Sequence, residues 1–302
     1  MSRLADRVIA TGTRPANAGD LYRHSFSKAD IVELFDGDYA QFRATVDLAS
    51  QHSATEHLDG TELQQIPFIV ANGAAAYLAS IDEGEDLATL VSTLAPPFEK
   101  FWVEFDLTGD RYGMRAAGAL ITVLHNPGKP NPSEPGDAWV LQADIIGEWD
   151  KGKPVGPLCT YIVPLDERGF LIPDKGIFAN PIEIDGANEG ELEGWPGALN
   201  RYLFAALFAV SLMHCKNVSL ITYRVLNASA MTRTLESEGD RASNGLRHAL
   251  HICRGHFKTY TAKAPLFGKY TGEYWWADQV RGDAKRGRAD KDYRVEPPGD
   301  DG

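Results

Sequence analysis

The chain has 302 residues, 43% hydrophobic and 24% charged, with a net charge of −12 at pH 7. That composition allows a core of its own and excludes coating of nucleic acid by the molecule as a whole. Three widely spaced cysteines, Cys159, Cys215 and Cys253, give no disulfide framework and no C-x-x-C motif, so a reducing, cytoplasmic setting is expected.

Residues 1–18 read as a loose N-terminal arm broken at Gly12 and Pro15, without the apolar core of a signal peptide. From Ser27 the pattern is helical, with Ile31, Leu34 and Phe35 at helical spacing. A second helix is expected over 38–51, with Tyr39, Phe42, Val46 and Ala49 on one face, and further helices over 66–80 and 85–94. Pro96 and Pro97 end this helical region, which spans 20–95.

The texture then changes. Over 98–107, Phe101, Val103 and Phe105 alternate with Trp102, Glu104 and Asp106, which predicts a strand with one buried side. Strands are also expected over 119–125, 138–146 and 158–163, with a short one at 169–172, separated by Gly/Pro-rich loops. Consecutive strands without intervening helices predict an antiparallel meander over 98–175. Residues 197–215 predict a helix apolar almost all round, packed across that sheet. Its most apolar run, Tyr202–Met213, is too short to span a bilayer, and no membrane partner is expected. Residues 218–225 look extended. The polar residues 227–246 read as a linker or loop, and 297–302 as a frayed tail. The fold class is α+β: N-terminal helices, an antiparallel β-meander carrying a long apolar helix, and a small basic β-rich C-terminal module. The domain reading is an acidic body over 1–226 and a basic aromatic module over 247–296.

Charge marks that division. Residues 241–302 hold 12 Lys/Arg against 8 Asp/Glu, whereas residues 1–240 hold 18 against 34. Such asymmetry points either to an anionic ligand or to docking of the basic segment on its own acidic body. Within the module, His251, Arg254, His256 and Lys258 crowd together with Tyr260, Phe267, Tyr274, Trp275, Trp276 and Arg281. Cations suit phosphates and flat rings suit unstacked bases, which is what RNA or a single strand requires. If 249–259 is one strand, Arg254, His256 and Lys258 form a basic row on one side.

Three readings of this segment stay open. It binds RNA or another anion through Arg254, Gly255, Phe257, Lys258, Tyr260, Trp275, Trp276 and Arg281. It cleaves RNA without metal, with His251 or His256 as general base or acid and Arg254 or Lys258 stabilising developing charge. Or its rings and histidines are simply the core of a small domain. A zinc site from His248, His251, Cys253 and His256 matches no standard spacing, and no metal or cofactor is expected. Glu104, Asp106 and Asp144 raise a second possibility, a divalent-metal site on adjacent strands, against which stands the ordinary wet face of an antiparallel sheet. No phosphate-cradling, dinucleotide-binding or hydrolase motif occurs.

The run His251-Ile-Cys-Arg254-Gly255-His256-Phe257-Lys-Thr-Tyr260, followed by Tyr274-Trp275-Trp276, resembles the C-terminal motif of a type V-A anti-CRISPR family carried by phages and mobile elements, H-x-x-R-G-H-[WF]-x-x-[YF] and then a strand ending in Trp. The Trp102–Asp106 strand and the apolar helix before 218–223 fall where that family has its own. The resemblance spans 98–294 and is concentrated in 247–276. Cys253 stands where the family carries a second Arg, and the loop 261–270 differs. The resemblance implies a regulator that lowers synthesis of a target protein, in the family a type V Cas nuclease, by recognising its nascent N-terminal peptide, after which the message is degraded. It supplies no catalytic residues. The expected partners are therefore RNA, a nascent polypeptide or the ribosome. A metal-independent endoribonuclease and a protein-binding module without RNA contact are the alternatives.

Overall fold

The structure is a computed structural model that describes residues 3–16, 32, 36–41, 43–44, 57–80, 87–107, 114–125, 138–149, 153–172, 175–181, 195–214, 218–225 and 249–295. Among them the chain forms helix α1 (Leu4–Thr11), strand β1 (Phe68–Val70), helix α2 (Asn72–Ala79), and strands β2 (Lys100–Asp106), β3 (Met114–His125), β4 (Trp139–Trp149), β5 (Val155–Leu165) and β6 (Phe178–Pro181). Helix α3 (Trp195–Leu212) follows, then β7 (Val218–Val225), β8 (Ala249–Cys253), β9 (His256–Tyr260), β10 (Gly272–Trp276), β11 (Gln279–Arg281) and β12 (Asp283–Val295).

The protein is α+β. Strands β2 to β6 pair antiparallel in chain order and form the expected meander. The sheet continues past β2 in a way the residue pattern does not announce. β1 pairs parallel with β2 on one side and parallel with β12 on the other, and β7 pairs antiparallel with β12. The sheet is therefore mixed. The helix expected over 66–80 is a three-residue strand followed by a shorter helix, because Phe68, Ile69 and Val70 lie between two strands and are too few for alternation to show. The helix expected over 85–94 is a 3-10 turn at Leu87–Leu90, and the strand expected over 169–172 is a single bridge at Leu171. Residues 39–41 and 43–44 are helical, as 38–51 was expected to be. Ile31, Leu34, Phe35, Phe42, Val46, Ala49 and the linker 227–246 lie outside the described residues.

Both faces of β2 are covered, which corrects the expectation of one wet side for that strand. Phe101, Val103 and Phe105 of β2 join Ala119, Ile121, Ala143, Ile145 and Tyr161 beneath α3, whose Leu203, Ala206, Leu207 and Val210 are buried against them. On the reverse face Trp102, Ala116, Leu120 and Ile146 are buried with Leu4, Ala5 and Val8 of α1. Residues read as a loose arm thus make a helix that closes the core. Leu4, Ala5 and Val8 fall on one face at helical spacing, in a stretch of only eight residues that is too short to stand out from its flanks. Gly118 lets Trp102 lie flat on the sheet: a Cβ there would stand 2.2 Å from the indole Cζ2.

Three carboxylates fasten this face, and none is wet. Glu104 accepts a hydrogen bond from the Ala5 amide (2.8 Å), one of the donors that a helix N-terminus leaves unpaired, and another from Trp102 Nε1 (3.0 Å). Burial raises its pKa against the pull of those donors. Glu148, 1% exposed, accepts from Arg7 Nε on α1 (2.6 Å) and from Arg115 Nη2 on β3 (2.7 Å). Asp144 accepts from Thr160 Oγ1 (2.6 Å) and Gln142 Nε2 (2.9 Å). Asp106, at the exposed end of β2, is bonded instead to Asn72 Nδ2 (2.8 Å).

The composition boundary at 247 is not a boundary in the sheet. Asp292, Tyr293 and Arg294 of β12 lie opposite Phe68, Ile69 and Val70, so the end of the basic segment is a strand of the body. No described helix is long and apolar enough to cross a membrane.

Candidate nucleic-acid interface

The residues from 249 to 259 are not one strand. β8 pairs with β11 and β12, whereas β9 pairs with β10 in a separate two-stranded sheet, and the chain breaks direction at Arg254–Gly255. Gly255 is the reason. Its amide donates to the Pro97 carbonyl (2.7 Å), and a Cβ on it would stand 2.5 Å from Cζ2 of Trp275. Only a residue without a side chain lets the turn close that tightly on the indole.

The expected basic row of Arg254, His256 and Lys258 is therefore not present. Arg254 turns inward, and its Nη1 donates to the carbonyl of Met213, just past the last residue of α3. A cation there meets carbonyls that a helix C-terminus leaves unpaired and complements its dipole. His214 follows, with Nε2 bonded to the Ala95 carbonyl (2.8 Å). Its ring lies 6.0 Å from Trp275 and 6.2 Å from Phe257, and those two rings meet edge to face at 4.8 Å. Trp139 closes the cluster, 5.5 Å from Trp275. Burial lowers the pKa of His214, and the Arg254 and His256 charges push the same way. Beside this cluster burial raises the pKa of Asp278, and the Glu99 carboxylate adds to it. Arg254, Gly255, Phe257 and Trp275 thus dock the β9–β10 hairpin onto the end of α3, with Trp275 against Trp139 at the start of β4.

Cross-strand register sorts the rest. Phe257 faces Trp275 and Thr259 faces Glu273, all on the docked side. His256 pairs with Trp276, Lys258 with Tyr274 and Tyr260 with Gly272, on the opposite, outward side. There His256, Lys258 and Tyr274 are exposed, and Tyr260 and Trp276 are half-buried. Lys258 Nζ stands 5.1 Å over the Tyr260 ring, which meets Tyr274 edge-on at 6.1 Å. Glu273, the one carboxylate of the hairpin, faces Arg168 of the body at 3.9 Å. The outward face carries a lysine, a histidine and three rings, and no acid.

His251 and Arg281 belong elsewhere. They lie opposite each other on β8 and β11, and Arg281 is bonded to Gln279 (3.0 Å). His251 and His256 therefore sit in different sheets. His248 lies outside the described residues. Among those described, no group of three His, Cys, Asp or Glu stands together to hold a metal ion. Tyr274 is absent from the binding residues expected from sequence, yet it is central to the outward face. The alternation in Glu273-Tyr274-Trp275-Trp276 separates it from Trp275 once a partner strand is assigned.

No family model, no curated protein and no solved structure matches the chain.

Proposed function

We propose that the protein is a phage or mobile-element regulator that acts in the host cytoplasm to suppress expression of a target protein through its nascent peptide and message, and that RNA is held on the outward face of the β9–β10 hairpin. The observation that carries the RNA contact is the sorting of the hairpin into two sides. Arg254, Gly255, Phe257 and Trp275 are spent on docking, while His256, Lys258, Tyr260, Tyr274 and Trp276 face away with no carboxylate among them. Positive charge and flat rings on one solvent-facing strand pair are what RNA recognition uses. A direct ribonuclease is favoured less, because strand pairing places His251 and His256 in different sheets.

The test is ultraviolet cross-linking in cells that express the tagged chain, followed by denaturing purification and recovery of attached RNA. Recovered RNA that falls sharply in Lys258→Glu supports the reading. Absence of RNA while the chain still co-purifies with a protein would make it a protein-binding module. Metal-independent cleavage by the purified chain, abolished in His256→Ala, would make it an enzyme.

A further inference from the structure

We infer that the outward hairpin face is a stacking platform for single-stranded RNA, with Phe267 at the hairpin tip as its end ring. The inference rests on the RNA contact proposed above and adds the strandedness of the ligand and the way it is held. Rings at alternate positions of a strand offer flat faces in sequence along it, and Tyr260, Tyr274 and Trp276 occupy such positions on two paired strands. A paired helix hides its base faces and is read through backbone and groove shape, so it would leave these rings unused. Lys258 is paired with Tyr274 and its ammonium stands by the Tyr260 ring, where the phosphate of a strand stacked on these rings would meet it. Glu273 is turned to the other side and engaged by Thr259 and Arg168, so it does not repel a strand there.

Phe267 supplies an independent observation. The hairpin connection is closed by paired bonds between Leu266 and Tyr270, which present Phe267 and Gly268 at its end. Phe267 is 85% exposed and its φ is 52°, the left-handed region that bulky side chains avoid. The backbone strain at Phe267 is not offset by burial of its ring, and an external contact on that ring would offset it. Lys263 and Lys269 flank it in the same exposed turn. A lipid surface would also take lysines and a protruding ring, but would use the tip alone. The aromatic positions here run back along both strands.

The experiment is fluorescence anisotropy with the full chain and three probes: a short single-stranded RNA of mixed sequence, the same RNA annealed to its complement, and vesicles rich in phosphatidylserine. Single-stranded RNA should bind more tightly than duplex. Tyr274→Ala and Phe267→Ala, both at exposed positions, should each weaken it by roughly 5- to 150-fold with unchanged circular dichroism. Duplex binding equal to or tighter than single-strand binding would overturn the inference, as would single-strand binding indifferent to both substitutions. Either result leaves the RNA contact itself standing. Binding to neither RNA form would remove that contact as well, and binding to vesicles alone would assign the face to a lipid surface.

Discussion

Replacing Gly255 by Ala tests how the hairpin is attached. The new methyl would stand 2.5 Å from Cζ2 and 3.0 Å from Cη2 of Trp275. Carbon atoms prefer about 3.5–4.0 Å, so the ring must retreat by about 1 Å. It has little room, with Phe257 at 4.8 Å, Trp139 at 5.5 Å and His214 at 6.0 Å around it. Overpacking of this kind costs about 1–3 kcal/mol. At about 2 °C per kcal/mol for a large domain, Tm should fall by roughly 2–6 °C. Trp275→Phe removes the two ring carbons that the methyl meets. If the clash is the cause, adding Trp275→Phe to Gly255→Ala should cost less than Trp275→Phe alone, with a coupling of about 1–2 kcal/mol. Urea unfolding of the four proteins, followed by circular dichroism, gives that coupling. A Gly255→Ala variant as stable as the parent, or additive effects of the two changes, would refute the docking geometry.

The buried imidazole gives a pH dependence. Because the pKa of His214 is lowered from 6.5, the folded chain binds fewer protons than the unfolded chain in mild acid. Its contribution is full above about pH 6.5 and is lost as pH falls below that value, by at most about 1.4 kcal/mol per pH unit. His214→Gln should flatten this acid limb of the urea-midpoint profile, and an unchanged limb would show that another group governs it. Glu148→Ala leaves Arg7 and Arg115 without their shared carboxylate. Since both arginines reach solvent, the loss should be near the low end of that for broken buried pairs, roughly 3 kcal/mol in chemical unfolding. A loss under about 0.5 kcal/mol would mean that Glu148 adds nothing to the apolar face of α1 and the Glu104–Ala5 bond in holding the helix. Lys258→Gln should flatten the logarithmic salt dependence of single-strand binding by about 0.7, the share of one phosphate contact, and an unaltered slope would place the phosphates elsewhere.

What could be read from residue order was set by how each element obtains its stability. β2 alternates, β3 to β5 are largely apolar runs, and α3 is apolar for most of its length, so local pattern is enough for them. β1 has three residues and β12 is mostly charged. Those two are strands because of their partners, a property no window of sequence contains. Helix α1 escapes notice for a related reason: its docking depends on Glu104 and Glu148, which lie about a hundred residues and more away. In the candidate site, the types of residue required by an anionic ligand were legible from composition. Their division was not. Arg254 and Phe257 differ from Lys258 and Tyr260 only through the break at Gly255 and the register with β10, and alternation carried unbroken through Gly255 assigns Arg254 to the wrong company.

The parallel seat of β1 between β2 and β12 also orders events during synthesis. Phe68 pairs with Asp292, so one edge of an early strand stays open until nearly all of the chain has been made. Until then β1 offers unpaired backbone and the apolar side chains of Phe68 and Ile69, which are fully buried once the fold is complete. The last strand therefore acts as the closure of the first, and contacts of such long sequence separation form late. A chain interrupted within the C-terminal segment would lose the hairpin and also keep a sheet edge open to any other strand, so that premature termination yields a sticky molecule rather than a smaller working one.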